Sequence, residues 1–240
     1  MTRKLWRDLW AMRGQALAIA AVIVSGVATL VMSLSAYDSL YSTQQTYYRD
    51  YRFAEVFARL KRAPERTAAR IGSIPGVDDV ETRVVADANL EVEGFTDPIV
   101  ARLVSLPDTG QPAVNRIYVR RGRLFDPARS DEVLVSEAFA RAHGLTPGDR
   151  LTVTIKGRRE RMRIVGIALS PEYMYQIAPG AIFPDPQRYG VLWMARTPLA
   201  TAYDMEGAFN DVALTLGAGA RAEAVIDRLD LILARYGGLG

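Results

Sequence analysis

The feature that most constrains this chain is an uncharged stretch near its N-terminus. No charged residue occurs from Gly14 to Tyr37, and the centre of the stretch, residues 16–34, reads ALAIAAVIVSGVATLVMSL. An α-helix rises 1.5 Å per residue, so about 20 residues cross a hydrocarbon layer of about 30 Å. We therefore predict a transmembrane helix over residues 14–37.

The alternative to an anchor is a cleaved signal peptide, because residues 33–36, SLSA, resemble a small-x-small cleavage site. The apolar part of a signal peptide spans only about 7–15 residues, and this stretch is longer. An uncleaved anchor is the better interpretation. Four basic residues precede the span and Asp38 follows it, so the positive-inside rule predicts a cytoplasmic N-terminus and a periplasmic main domain at a bacterial inner membrane.

Residues 1–13 are predicted to be a cytoplasmic or interfacial segment. Its apolar face and two tryptophans suit a short helix among lipid headgroups, although simple continuation of the transmembrane helix explains them equally well. The predicted membrane-interface residues are Trp6, Arg7, Trp10 and Arg13.

Small side chains recur at every fourth position of the span, at Ala21, Ser25, Thr29 and Ser33. Such a stripe lets helices approach closely and hydrogen bond, whereas a lipid-facing helix gains nothing from it. We predict packing against further transmembrane helices; the alternative is that an alanine-rich composition produced the pattern by chance.

Composition excludes several functions. The chain has no cysteine, so disulfides, zinc-thiolate sites and thiol catalysis are absent. The net charge of +3 is already reached within the first thirteen residues, so a nucleic-acid partner is not expected. His143 is the only histidine, better explained as a favourable charge at a helix end than as a metal ligand. Neither a nucleophile elbow nor a phosphate-binding P-loop occurs, and we expect a non-catalytic chain without cofactors.

Beyond the span, patterning predicts an α+β fold with a discontinuous part. Residues 38–51 are predicted to form a stalk helix. A strand over 53–60, a helix from Pro64 to Ile71 and a strand over 77–85 form one strand-helix-strand half. A strand over 210–216 and an amphipathic helix over 221–235 begin a second half. We expect residues 52–87 and 203–240 to form one antiparallel sheet with helices on one face.

Residues 88–202 are predicted to be an inserted β-rich subdomain. Residues 132–136, EVLVS, form a predicted strand followed by a short helix over 137–143, and the strands 151–155 and 161–167 form a predicted hairpin about residues 156–158. A run rich in Pro, Tyr and Met from Ser170 to Met194 is typical of a recognition surface, although packing on its own subdomain is equally plausible. The candidate partner-surface residues are Tyr173, Met174, Tyr175, Tyr189 and Trp193.

These segments resemble the N-terminal part of a permease of the MacB/FtsX-like ABC transporter superfamily. The resemblance rests on the basic start and span, on IGSIPGVDDVETRVV from Ile71, on residues 131–173, on FPDPQRYGVLWM from Phe183 and on FNDVALTL from Phe209. It implies a periplasmic domain with a porter-like α+β part and an inserted β-rich part.

The resemblance also implies partners: membrane lipids, a separate cytoplasmic ABC ATPase subunit, the remaining helices of the permease, and a second permease copy or a periplasmic protein. ATP-driven motion would then be coupled to export or extraction of a lipophilic substrate. Because the sequence stops before a second span, we expect either a fragment of a longer permease or a truncated gene product. The alternative function is a single-span sensor or adaptor with an extracytoplasmic binding domain.

Overall fold

A computed structural model describes residues 13–238. Helix α1, Arg13–Asp50, is 38 residues long and is long and apolar enough to cross a membrane. Residues 14–37 and the predicted stalk as far as residue 50 belong to this one helix. The chain divides into two compact units, residues 1–47 and the residues from Tyr48 onward.

A three-stranded sheet in the second unit combines the two ends of the domain. Its strands are β1 (Val56–Pro64), β2 (Val77–Arg83) and β10 (Ala208–Leu216), with β10 in the centre and antiparallel to both neighbours. Helices α2 (Thr67–Gly72) and α5 (Ala222–Leu233) contribute to its apolar core. The predicted antiparallel pairing of the two segments is confirmed.

The predicted start of α2 at Pro64 is wrong. Pro64 is the last residue of β1 and pairs with Ala208, while the next residue, Glu65, donates its N–H to the carbonyl of Gly207 at 2.8 Å. Because these contacts with Gly207 and Ala208 extend the strand pairing, the helix begins only at Thr67.

Between these segments lies a β-barrel. Six strands pair in the closed order β8-β6-β9-β4-β3-β7-β8, and β5 pairs with β8 outside the ring. The strands are β3 (Val85–Glu91), β4 (Ile99–Leu106), β5 (Tyr118–Gly122), β6 (Glu132–Ser136), β7 (Arg150–Ile155), β8 (Arg158–Leu169) and β9 (Tyr189–Ala195). Residues 85–87, which the sequence placed with the porter-like part, are therefore the first residues of a barrel strand.

Two short helices accompany the barrel: α3 (Glu137–Ala142) follows β6 and α4 (Arg196–Ala202) follows β9. The predicted hairpin is confirmed, since β7 and β8 pair antiparallel on either side of Lys156 and Gly157. Both turn residues have positive φ, 46° and 80°, the conformation of a type I′ turn. The turn matches the right-handed twist of its strands and fixes their register.

Candidate functional site

Four polar side chains form a network where the small sheet meets the barrel. We call Arg83, Asn115, Glu172 and Asp211 the junction network. Arg83 ends β2, Asp211 lies in β10, and Glu172 lies in a 3-10 helix, Pro171–Tyr173, that follows β8. The Nε of Arg83 is 2.8 Å from Oδ1 of Asp211, and its Nη1 and Nη2 groups donate to the carboxylate of Glu172. One guanidinium thus binds a carboxylate from each part of the fold.

The charges of this network are buried. Arg83 is 4% exposed and Asp211 is 5% exposed. Burial raises the pKa of Asp211 above its ordinary value, because Arg83 is shared with Glu172 and offsets the desolvation only in part. Burial alone would lower the pKa of Arg83, but its two carboxylate partners hold that pKa well above the ordinary value. The buried network therefore depends on all of its members.

Asn115 connects the network to the chain segment that follows α1. Its Nδ2 donates to Oε2 of Glu172 at 2.9 Å, and its Oδ1 accepts the N–H of Ala54 at 2.9 Å. Its own backbone N–H donates to the carbonyl of Arg52 at 2.8 Å, and the next N–H, of Arg116, donates to Tyr51. The entry segment 51–54 is thereby hydrogen bonded to residues that also hold Glu172.

A second feature begins directly after Glu172. We call residues 174–183 the apolar loop. No charged residue occurs from Tyr173 to Pro184, and the loop exposes five large apolar side chains. Their exposures are Met174 51%, Tyr175 80%, Ile177 43%, Ile182 82% and Phe183 78%. Exposed apolar groups gathered in this way mark interaction surfaces more often than scattered ones do.

The base of the apolar loop is held in place by Gln176, whose side chain is buried. Its Oε1 accepts a hydrogen bond from Oγ of Ser136 at 2.8 Å, and its Nε2 donates to the carbonyl of Tyr173 at 3.3 Å. The ring of Tyr173 in turn contacts Trp193 edge-on, with centroids 6.1 Å apart. The exposed apolar side chains therefore project from an anchored base.

The five candidate partner-surface residues differ in their exposure to solvent. Met174 and Tyr175 are exposed, and Tyr173 is half-buried. The predictions for Tyr189 and Trp193 are wrong, because these residues are 2% and 1% exposed. Both lie in β9, which is hydrogen bonded between β4 and β6. Ile177, Ile182 and Phe183 are also exposed and were not among the candidates; the uncharged run around them was the signal in the sequence.

The small-residue stripe of α1 is exposed at Ala21, Ser25, Thr29 and Ser33. The hydroxyl of Thr29 donates to the carbonyl of Ser25 at 2.9 Å, so it is satisfied within its own helix. Arg13 is the first residue of α1. The predictions for Trp6, Arg7 and Trp10 lie outside the described residues, and an interfacial role for Arg13 stays a prediction.

No cluster of three or more His, Cys, Asp or Glu side chains able to hold a metal ion occurs within residues 13–238. His143 follows α3, with Nε2 2.9 Å from the carbonyl oxygen of Gln187, and its ring packs against Phe95 and Phe139. Through these contacts, His143 is part of the packing of the barrel.

This architecture is similar to that of known proteins. The profile of the MacB-like periplasmic core domain matches residues 14–232. The extracellular domain of the noncanonic ABC-type transporter YknZ from Gram-positive bacteria superposes with a TM-score of 0.50 at 10% identity, covering 77% of this chain and 97% of that one. This similarity shows a shared fold.

Two further structures overlap less closely. The periplasmic region of MacB from Actinobacillus actinomycetemcomitans gives a TM-score of 0.46 at 9% identity, covering 76% of this chain and 86% of that one. A domain of a putative permease protein from Porphyromonas gingivalis gives 0.40 at 15% identity, covering 75% and 83%. Among curated proteins, none matches the sequence significantly.

The family profile covers nearly the whole chain, and the part that precedes the folded domain is a helix able to span a membrane. The chain thus belongs to the family of the MacB-like periplasmic core domain.

Proposed function

We propose that this chain is the N-terminal portion of a permease subunit whose periplasmic domain couples the motion driven by a separate cytoplasmic ATPase to export or extraction of a lipophilic substrate. In this proposal the chain lies in the inner membrane with its N-terminus in the cytoplasm. It contributes no catalytic group, and ATP hydrolysis occurs on the partner subunit.

The junction network is the observation that supports coupling. A domain that transmits force needs its entry segment joined to its outer part by bonds that break only at high cost. Asn115 holds both Ala54 and Glu172, and Arg83 binds Glu172 together with Asp211. Breaking a buried charged network by removing one partner costs about 3–5 kcal/mol. A displacement of the entry segment would therefore carry the barrel and the small sheet along as one body.

Two surfaces supply the contacts that such a permease needs. The small-residue stripe of α1 suits packing against the remaining transmembrane helices of the permease. The apolar loop suits contact with a periplasmic partner protein or with a second permease copy, because its uncharged side chains gain free energy when another surface covers them.

The coupling proposal is tested on the complex purified from native membranes into nanodiscs. We expect an ATPase subunit with a P-loop sequence to co-purify and to hydrolyse ATP. Glu172→Gln, which keeps the side-chain shape and removes its charge, should lower substrate-stimulated hydrolysis without loss of assembly. Arg159→Gln, in an exposed ion pair with Glu91, is the matched control and should leave hydrolysis unchanged.

Two results would contradict the proposal. If no ATPase accompanies the chain, the sensor or adaptor function is favoured instead. If a reporter fused after residue 240 is active only in the cytoplasm, the proposed orientation is wrong.

A further inference from the structure

A cavity that shares no lining residue with the junction network lies beside β5 and α3. Its volume is about 350 Å³, and it is bordered by the strand β5, the helix α3 and the loop that follows α3. Three arginines and one glutamate line it, above a floor of apolar side chains. The charged lining residues are Arg120, Arg121, Glu137 and Arg141, and the apolar ones include Ala140, Leu145 and Ile167.

A β-bulge explains how two successive arginines reach one cavity. Side chains of neighbouring strand residues ordinarily point to opposite faces of a sheet. In the β5–β8 ladder, Val119 pairs with Ala168 and Arg121 pairs with Ile167, so Arg120 is one extra residue without a partner on β8. Bulges of this kind re-aim side chains and occur often beside binding sites. Here the bulge places Arg120 and Arg121 around the same space.

Two of the three guanidinium groups share a single carboxylate. Oε1 of Glu137 is 2.9 Å from Nε of Arg120 and 3.3 Å from Nη2 of Arg141. Within the described residues, Arg121 forms no ion pair. Three positive charges and one negative charge leave the lining residues with a net charge of 3 − 1 = +2. The carboxylate holds two of the cations in position but compensates only one of them.

We propose that this cavity binds a phosphate group that carries close to two negative charges. A phosphate monoester has a charge of about −1.5 to −2 at neutral pH and three strong acceptor oxygens, which match the lining in charge and in number of guanidinium donors. A carboxylate would neutralise only half of the excess. The ligand is either free phosphate or the phosphomonoester headgroup of a lipid, and the apolar floor is compatible with both.

The binding test uses the full chain in detergent micelles at low ionic strength, titrated with inorganic phosphate in a calorimeter. The wild type should bind saturably, and Arg121→Gln and Arg141→Gln should each weaken binding about tenfold or more, as the loss of a charge-assisted hydrogen bond predicts. Arg158→Gln is the matched control. Arg158 is an exposed arginine nine residues before Ile167 on β8, which places it about 30 Å away. Its substitution should change the affinity less than about twofold, since no short-range contact is lost.

A second arm distinguishes the two sources of phosphate. The wild type is placed in phosphatidylcholine nanodiscs with and without phosphatidic acid, and its thermal unfolding midpoint is measured. A rise with phosphatidic acid that Arg121→Gln abolishes identifies a lipid headgroup, whereas a response to inorganic phosphate alone identifies the soluble ion. Both results support the site.

Either of two results overturns the site: no response to inorganic phosphate or to phosphatidic acid, or an equal loss in Arg158→Gln. Circular dichroism of each unliganded variant verifies folding. If Arg141→Gln is destabilised because Glu137 loses a partner, Arg121→Gln, which breaks no ion pair, carries the test alone. Neither arm depends on ATP, so the test of phosphate binding is independent of the coupling proposal.

Discussion

Replacing Arg83 by methionine is the most direct perturbation of the junction network. Methionine approximates the length of the side chain but cannot bind a carboxylate. The substitution leaves Asp211, 5% exposed, and Glu172, with a side chain 13% exposed, facing each other without a cation between them. Two carboxylates would then remain beside the mostly exposed Arg59, whose Nε lies 4.0 Å from Oδ2 of Asp211.

The expected cost is about 3–5 kcal/mol in the free energy of unfolding, the range measured when one partner of a buried ion pair is removed. For a folded unit of nearly 200 residues, each kcal/mol lowers the midpoint of thermal unfolding by about 2–4 °C. Arg83→Met should therefore lower the midpoint by about 6–20 °C. A loss of about 3–5 kcal/mol is a large fraction of the free energy of unfolding of an ordinary domain.

The pH dependence gives a second, independent readout. Burial already raises the pKa of Asp211 in the wild type, and loss of Arg83 raises it further. An acid whose pKa is higher in the folded state than in the unfolded state binds protons preferentially when folded, so stability increases as the pH falls through that folded pKa. The deficit of Arg83→Met should therefore be larger at pH 8 than at pH 5.

Unfolding is followed by guanidinium titration of the full chain in micelles, using the fluorescence of the buried Trp193 in a background where Trp6 and Trp10 are phenylalanine. Arg159→Met is the control, because Arg159 and its carboxylate partner Glu91 are both exposed and such pairs contribute about 0–1 kcal/mol. A loss below about 1 kcal/mol in Arg83→Met, equal to that of the control, would show that water compensates the charges and that our reasoning about the network is wrong.

Three further predictions concern the barrel and its loop. Glu132→Gln should cost about 1.5–3 kcal/mol, because the carboxylate of Glu132 accepts hydrogen bonds from both Nη groups of Arg123 and from the N–H of Asp126. Arg123 lowers the pKa of Glu132, so this stabilisation is present above the ordinary glutamate value of 4.5 and the difference from wild type, measured by denaturant titration, should shrink as the pH falls below it. Gly190→Ala should cost about 1–3 kcal/mol, since the new Cβ would lie 2.7 Å from the ring of Phe139; an unchanged thermal midpoint would contradict this. Tyr175→Ser with Phe183→Ser should change stability by less than about 0.5 kcal/mol per site while weakening capture of the periplasmic partner or second copy in crosslinking assays, and a destabilised double variant would show that the loop is part of the core.

Local patterns predicted those elements whose burial is one-sided or whose ends carry turn residues. The strand EVLVS occupies Glu132–Ser136 as predicted, and the hairpin turn follows from Lys156-Gly157. The alternation over residues 210–216 likewise located β10 within two residues. In each case the side-chain period and the turn chemistry are properties of neighbouring residues, so no distant contact was needed to infer them.

The central barrel strands were missed for the opposite reason. β4 and β9 pair parallel and are buried along nearly their whole length, so neither shows alternation. The uncharged run YGVLWMA, Tyr189–Ala195, follows a Pro- and Tyr-rich loop, and that composition predicts either a recognition surface or local packing of an irregular loop, not a strand. Its length and lack of charge are typical of a strand buried on both faces.

The junction network could not be predicted because its members are far apart in sequence. Arg83 and Asp211 are separated by 128 residues and Arg83 and Glu172 by 89. The only local signal was Asp211 itself, a charge in the middle of the apolar strand AFNDVALTL. A carboxylate at such a position requires a partner from elsewhere in the fold, and sequence patterning does not identify which cation supplies it.

The order of the chain joins the network to the apolar loop. Glu172 binds Arg83 and Asn115, and the first exposed residue of the loop, Met174, is only two positions further on. A shift of Glu172 must therefore move the base of the loop, while Tyr173 packed on Trp193 resists independent motion. Coupling and recognition can consequently be separated by substitution: Glu172→Gln should leave the loop surface unchanged but loosen its connection to the entry segment, whereas changes at Tyr175 and Phe183 should remove the surface and leave the connection intact. Equal loss of partner binding in both variants would mean that the network only holds the loop in place and transmits nothing.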